Sequence, residues 1–178
     1  MTQSQKQKRY NTMASPIIFC DMDGVLADFK TAAVKVNGMS IQKWMNIPSS
    51  QQKWERIKNT SNFWHNLPWM PGGQALWQFL TKFDPHILSA YVEETYDPNC
   101  IPGKTAWLRK NTRITDKSKI HLVRRREKKN FAKYGGQKNI LIDDYEKNVR
   151  EFINAGGMGI VHNNYRNTIR SLKLLGIQ

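Results

Sequence analysis

Acidic side chains are scarce in this chain: 14 Asp and Glu stand against 28 Lys and Arg, a formal net charge of +14 over 178 residues. Long apolar runs are missing as well, and no stretch approaches the roughly 20 residues that a bilayer-spanning helix needs. A membrane partner is therefore not expected. The first fifteen residues, MTQSQKQKRYNTMAS, lack the apolar segment of a secretory leader and are expected to form a flexible basic tail. Cysteine is limited to Cys20 and Cys100, and Cys20 lies inside an apolar run, so it reads as a small core residue rather than as half of a disulfide or a metal ligand. A reducing, cytoplasmic setting follows as the expectation. No GxxxxGK[ST] loop is present, which argues against a kinase or an ATP-driven role. His65, His86, His121 and His162 show no metal-ligand spacing.

What remains has the proportions of a folded domain, with 39% hydrophobic and 24% charged residues. Short β-branched or aromatic runs alternate with amphipathic patterns. PIIFC (16–20), HILSA (86–90), IHLV (120–123), NILIDD (139–144) and MGIVH (158–162) read as strands. Leu26, Phe29, Ala33 and Val36 recur at helical spacing, and helices are expected again over 71–83, 103–111, 128–136, 146–155 and near the C-terminus. Strands separated by helices imply an α/β fold, a Rossmann-like parallel sheet with helices on both faces. Residues 38–70 break the pattern, being rich in tryptophan and polar residues without a strand, and read as a small helical cap inserted into a domain spanning 16–178.

Few as they are, the acids are not scattered. Asp21, Asp23 and Asp28 fall within eight residues after the first strand, and Asp143 and Asp144 end the fourth. Parallel α/β sheets bind ligands beyond the carboxyl ends of their strands, so Asp21, Ser89 and the Asp143–Asp144 pair are expected to converge. Carboxylates brought together repel unless a cation lies between them, and oxygen donors of this kind suit Mg²⁺. Gly24 permits a sharp turn after Asp23. The segment 104–138 adds thirteen Lys or Arg against two acids, a field that attracts phosphorylated molecules or nucleic acid and that on its own is equally a solvated face. Carboxylates, a hard cation, a hydroxyl and a lysine together describe phosphoryl transfer.

The ordered motifs DMDGVLADF, ILSA, a lysine near RREKKNFA and LIDDYEKN resemble those of the haloacid-dehalogenase-type phosphatases, and within them the 5′(3′)-deoxyribonucleotidase group with related phage and bacterial proteins. FWHNLPWMPGG, GKTAWLRKN and GGMGIVH extend the likeness, which covers roughly 17–162. The resemblance implies Asp21 as nucleophile and Asp23 as general acid and base. It implies Mg²⁺ held by the Asp21 carboxylate, the Asp23 backbone carbonyl and Asp143, with Asp144 bridging or behind them. Ser89, the N–H of Ala90 and a lysine would bind phosphate. Lys128 is favoured for that lysine over Lys129 and Lys133. Phe63 and Trp64 occupy the places where that group stacks a base, although an aromatic pair equally suits a core. Trp44, Trp54 and Trp69 are expected to hold the cap together, and Asp28 to complement the first turn of a helix. The implied activity is a Mg²⁺-dependent phosphomonoesterase acting on nucleoside monophosphates, deoxyribonucleotides first. The alternatives are a phosphatase of nucleic-acid 3′-ends, suggested by the basic segment, and a catalytically silent phosphate- or nucleic-acid-binding protein on the same fold. The oligomeric state stays open, a dimer included.

Overall fold

The computed structural model describes residues 15–178; all but the last residue of the expected basic tail lies outside them. Five strands form one parallel sheet: β1 (Ile18–Cys20), β2 (His86–Ala90), β3 (Ile120–Val123), β4 (Ile140–Asp143) and β5 (Met158–Val161), in the order β3-β2-β1-β4-β5. The helices are α1 (Phe29–Asn37), α2 (Ile41–Met45), α3 (Ser50–Lys58), α4 (Gly73–Leu80), α5 (Cys100–Thr112), α6 (Glu146–Asn154) and α7 (Tyr165–Leu174). A run of 3₁₀ geometry, Arg125–Gly136, lies between β3 and β4. Among the described residues no helix is long and apolar enough to cross a membrane.

The central strands carry their own explanation. Every residue of β1 and β4 is buried, as expected where helices cover both faces. Side chains alternate across the sheet, so Ile18, Cys20, Ile140 and Ile142 enter one core with Leu76 and Leu80 of α4, Trp107 and Leu108 of α5 and Leu172 of α7. Phe19, Leu88 and Leu141 enter the other, with Ala132 and with Phe152 of α6. On that second side Phe19 meets the rings of His86, His121 and Phe131 edge-on. His86 and His121 stack on each other, Nδ1 to Nε2 at 3.1 Å.

The strand order fixes the place of the site. The chain runs outward from β1 through β2 to β3, then returns to the other side of β1 for β4 and β5. The switch point thus lies between β1 and β4, where neither connection covers the carboxyl ends. Cys20 pairs with Ile142, so the next residues, Asp21 and Asp143, emerge side by side.

Several boundaries differ from the sequence expectation. The first strand begins at Ile18 rather than Pro16, and the helix expected from Leu26 starts only at Phe29. Residues 22–27 instead form a tight loop in which the N–H groups of Leu26 and Ala27 both donate to the Met22 carbonyl. Asp28 caps α1 by accepting from the Thr31 N–H at 3.1 Å, and Gly38 closes it in a left-handed conformation. The segment 38–70 holds α2 and α3 and returns to the core through paired backbone, Asp28 N–H to Pro68 and Met70 N–H to Leu26. The helix expected over 128–136 begins earlier, is 3₁₀ in character, and breaks at Lys133–Gly135. Asn139 ties that broken end down, donating to the carbonyls of Phe131 and Tyr134 and accepting from the Ile17 N–H.

Candidate active site

Asp21 follows β1 directly. Its N–H is bonded to Ile142, which continues the ladder one residue past the strand, and its Oδ1 accepts from the Met22 N–H at 2.7 Å. Asp143 ends β4 and is completely buried. Its Oδ1 accepts from the Tyr145 N–H at 2.9 Å, and its Oδ2 from Asn148 Nδ2 at 3.0 Å. Between these two acids lies Lys128. Its Nζ is 2.8 Å from Asp21 Oδ2 and 2.7 Å from Asp143 Oδ2, and its side chain is 2% exposed. Burial opposes the ammonium charge, but the Asp21 and Asp143 carboxylates override it and hold the lysine far above its ordinary value. Burial and the Asp21 charge push Asp143 upward. Of the three lysines the sequence offered, the structure brings Lys128 to the acids, while Lys129 is exposed and Lys133 packs against Gly156.

Asp21, Asp143 and Asp144 each present a carboxylate oxygen within 4.8 Å of the others. Three acids faced by one buried ammonium retain a negative excess, and their hard oxygens fit a divalent cation such as Mg²⁺. Asp144 is also paired with Lys30 of α1 at 2.8 Å. Gly24 explains how Asp144 comes so near. A Cβ there would meet Asp144 Oδ2 at 2.3 Å, and the residue has a φ of +76° that favours glycine. The carboxylate of Asp23 is not one of these oxygens.

Asp23 faces a second buried lysine, which sequence reasoning did not single out. Lys104 of α5 is fully buried, with Nζ 2.5 Å from Asp23 Oδ2, 2.6 Å from the Ala90 carbonyl and 3.2 Å from Ser89 Oγ. Its ammonium lies 5.1 Å from the Trp64 ring centre. Burial disfavours its charge, the Asp23 carboxylate restores it, and the net direction is upward. Asp23 is itself pushed above the ordinary carboxylate range, by burial first and with Lys104 partly opposing. Its Oδ1 is buried without a hydrogen-bond partner. The available signal for Lys104 was the stretch GKTAWLRKN, whose lysine sits two positions before an apolar Ala-Trp-Leu face. A charged residue beside a buried face reads as solvated until a partner is known.

The remaining expected residues divide. Ala90 lines the cleft, whereas Ser89 lies behind it, fully buried against Lys104. Phe63 and Trp64, expected to bind substrate, are 7% and 2% exposed and belong to the main core. Trp64 stacks on Phe29 at 5.4 Å and donates to Asp97 at 2.7 Å. They are held there because the cap returns to the core at that point and buries whatever it carries. The aromatic wall of the cleft comes instead from Phe29, Trp44 and Trp54, two of which were expected only to hold the cap together. These, with Ile41 and Met45, face the acids across a cleft of about 430 Å³. Asp28 stands apart as a helix cap.

No family model and no curated protein matches the chain. Solved structures do. A hydrolase from Streptococcus pneumoniae TIGR4 superposes with a TM-score of 0.52 at 11% identity, over 88% of this chain and 97% of its own. L-2-haloacid dehalogenase from Xanthobacter autotrophicus, solved with chloropropionic acid covalently bound, gives 0.51 at 12% identity, over 91% and 84%. The fold is that of the haloacid dehalogenases. In this haloacid-dehalogenase fold the acids stand at the switch point, and the segment 38–70 supplies one wall of the cleft above them. At these identities the likeness establishes architecture, and the chemistry has to be argued from the side chains.

Proposed function

We propose that the protein is a Mg²⁺-dependent phosphomonoesterase that hydrolyses nucleoside monophosphates, deoxyribonucleotides first, through a phosphorylated Asp21. The observation that carries this reading is Lys128, a buried cation bridging Asp21 and Asp143 beside a three-carboxylate cluster. Such a site has charge of both signs, which suits transfer of a multiply charged group.

In this reading Asp21 attacks phosphorus through a carboxylate oxygen, and the ester P–O bond breaks. Asp23, whose raised proton affinity and unpartnered Oδ1 fit the task, gives its proton to the departing alkoxide oxygen. It then takes a proton from water, whose oxygen attacks the phosphoryl group on Asp21, releasing phosphate and restoring both acids. Lys128 holds the nucleophile and balances charge on the transferred group. Lys104 fixes the rotamer of Asp23. A divalent cation bound by Asp21, Asp143 and Asp144 would neutralise the charge of the incoming phosphate. The aromatic wall of Phe29, Trp44 and Trp54 offers apolar ring surface against which a base would pack. A covalently bound organic acid in the Xanthobacter dehalogenase gives covalent chemistry a precedent on this fold.

The test is phosphate release from a panel of ribo- and deoxyribonucleoside monophosphates and sugar phosphates, with Mg²⁺ and with chelator. Release confined to Mg²⁺ and to nucleotides, and abolished in Asp21→Asn, is the expected result. Equal release by Asp21→Asn would overturn the mechanism, and preference for sugar phosphates would overturn the substrate class.

A further inference from the structure

The basic segment continues past Lys128 toward the surface, and its arginines are arranged rather than scattered. Arg125 lines the catalytic cleft and also lines a neighbouring open groove of about 510 Å³, shared with Tyr91, Glu93, Arg124 and Arg126. The two hollows therefore adjoin at one guanidinium. Arg125 is 38% exposed and held from behind, with Nη1 donating to Asn148 Oδ1 and Glu151 Oε2, each at 3.0 Å. Both bonds use one nitrogen, which leaves the rest of the donor fork facing outward. Asn148 in turn donates to Asp143, so a chain of three side chains joins the rim to the catalytic acids.

The charge of the groove is cancelled only in part. Arg124 is matched by Glu93, with Nε to Oε1 at 2.7 Å. Arg126 is exposed and forms no ion pair among the described residues. Arg124 and Arg125 are each matched by one glutamate, so Arg126 is the unmatched cation of the groove among the described residues, beside a half-buried tyrosine ring. The same 3₁₀ segment carries Arg125, Arg126 and Lys128, so the rim cations are set at a fixed offset from the phosphate-facing lysine. A solubilising face needs neither a shared hollow nor a tethered guanidinium.

We propose that Arg125 and Arg126 form a second anion subsite, which takes a further phosphate of the substrate while its terminal monoester lies at Asp21. The ligand chemistry is a nucleotide carrying a second phosphate group. A nucleoside bisphosphate and the phosphorylated end of a nucleic-acid strand both supply it. Arginine suits this task because its planar fork binds phosphate through two parallel bonds. The inference rests on the phosphatase reading for the placement of the monoester, and it adds the substrate class.

Binding is measured on the full chain in chelator, where turnover is not required, by competition against thymidine 5′-monophosphate. The probes are thymidine 3′,5′-bisphosphate and thymidine octamers bearing a 5′- or a 3′-phosphate. At low salt at least one probe carrying a further phosphate is expected to bind about tenfold or more tightly than the monophosphate. Arg126→Gln, outside the cleft, should reduce that advantage to about threefold or less and leave monophosphate affinity within about twofold. The advantage should also fall with salt, with a slope of about 0.7 per phosphate contacted on a single strand. Preference for the bisphosphate alone assigns the small-molecule source, and preference for an octamer assigns the strand end. Affinities within twofold for all probes, or an advantage that survives Arg126→Gln undiminished, would overturn the subsite. Phosphate release in Mg²⁺ is read separately, so loss of chemistry and loss of the subsite give different results.

Discussion

Two lysines are buried at the carboxyl end of the sheet, and they differ in what balances them. Lys128 stands between Asp21 and Asp143, with Asp144 close by and paired with the exposed Lys30, so one buried and one surface ammonium meet three carboxylates. Lys104 faces the single carboxylate of Asp23 and is completed by neutral oxygens from Ser89 and Ala90. The first arrangement is unsatisfied without another cation, whereas the second is closed. The comparison separates two tasks often treated as one. In the proposed reading an unbalanced cluster would gather cation and phosphate, while a balanced pair fixes the position and proton affinity of one acid.

Removing each lysine should therefore have unequal effects. Lys128→Met leaves two buried carboxylates without their cationic partner and is expected to destabilise the fold by about 3–5 kcal/mol, measured by urea unfolding in chelator. Added Mg²⁺ should recover more of that loss than it adds to the unaltered protein, because the variant has lost its only internal counter-charge there. Equal Mg²⁺ effects in the two proteins would remove the distinction between the sites.

Lys104→Met is expected to cost less, about 1–3 kcal/mol, because Asp23 can shed its charge by taking up a proton. The sign of the accompanying pH effect follows from the contacts. Burial raises the Asp23 carboxyl and Lys104 opposes the rise, so deleting Lys104 moves it further upward. The limb of the pH–rate profile that belongs to Asp23 should shift to higher pH in Lys104→Met. A profile that stays in place would show that Lys104 does not govern this acid.

The aromatic residues sharpen the same division between site and scaffold. Trp54→Ala, at the cleft wall, should raise KM for a nucleotide by about tenfold, the value of about 1.4 kcal/mol of lost stacking. Phe63→Ala, in the core, should lower stability by about 3–5 kcal/mol and leave KM nearly unchanged in the folded protein. The smallest effect is expected at Asp28. Its replacement by Ala removes a helix cap worth about 1 kcal/mol and should not alter kcat, although it lies five residues from Asp23.

Much of this was legible in the sequence because it depends on short-range pattern. The apolar runs 86–90 and 120–123 are strands with the expected limits, and the rule that ligands gather at strand ends brought Asp21 and Asp143 together before any coordinates. Lys128 could be favoured because motif order constrains it. Lys104 could not, since its burial depends on α5 crossing over the loop after β1, a contact between residues 81 positions apart. The exchange of roles between Phe63–Trp64 and Trp44–Trp54 has the same origin. All four are aromatic residues in one insert that pack on the main core, and only the path of its return decides which of them also border the cleft. The 3₁₀ run at Arg125–Gly136 escaped for a local reason: the glycines at 135 and 136 signal a stop, while the tighter winding before them has no residue signature.

The central claim is that Asp21 itself carries the phosphoryl group. Acid quenching during turnover of a nucleoside monophosphate, followed by mass spectrometry of the digested protein, tests it directly. The account predicts one added phosphoryl group on the peptide containing Asp21, acid-stable and lost in hydroxylamine, with none in Asp21→Asn. Steady turnover with no labelled peptide, or a label on any other residue, would contradict it.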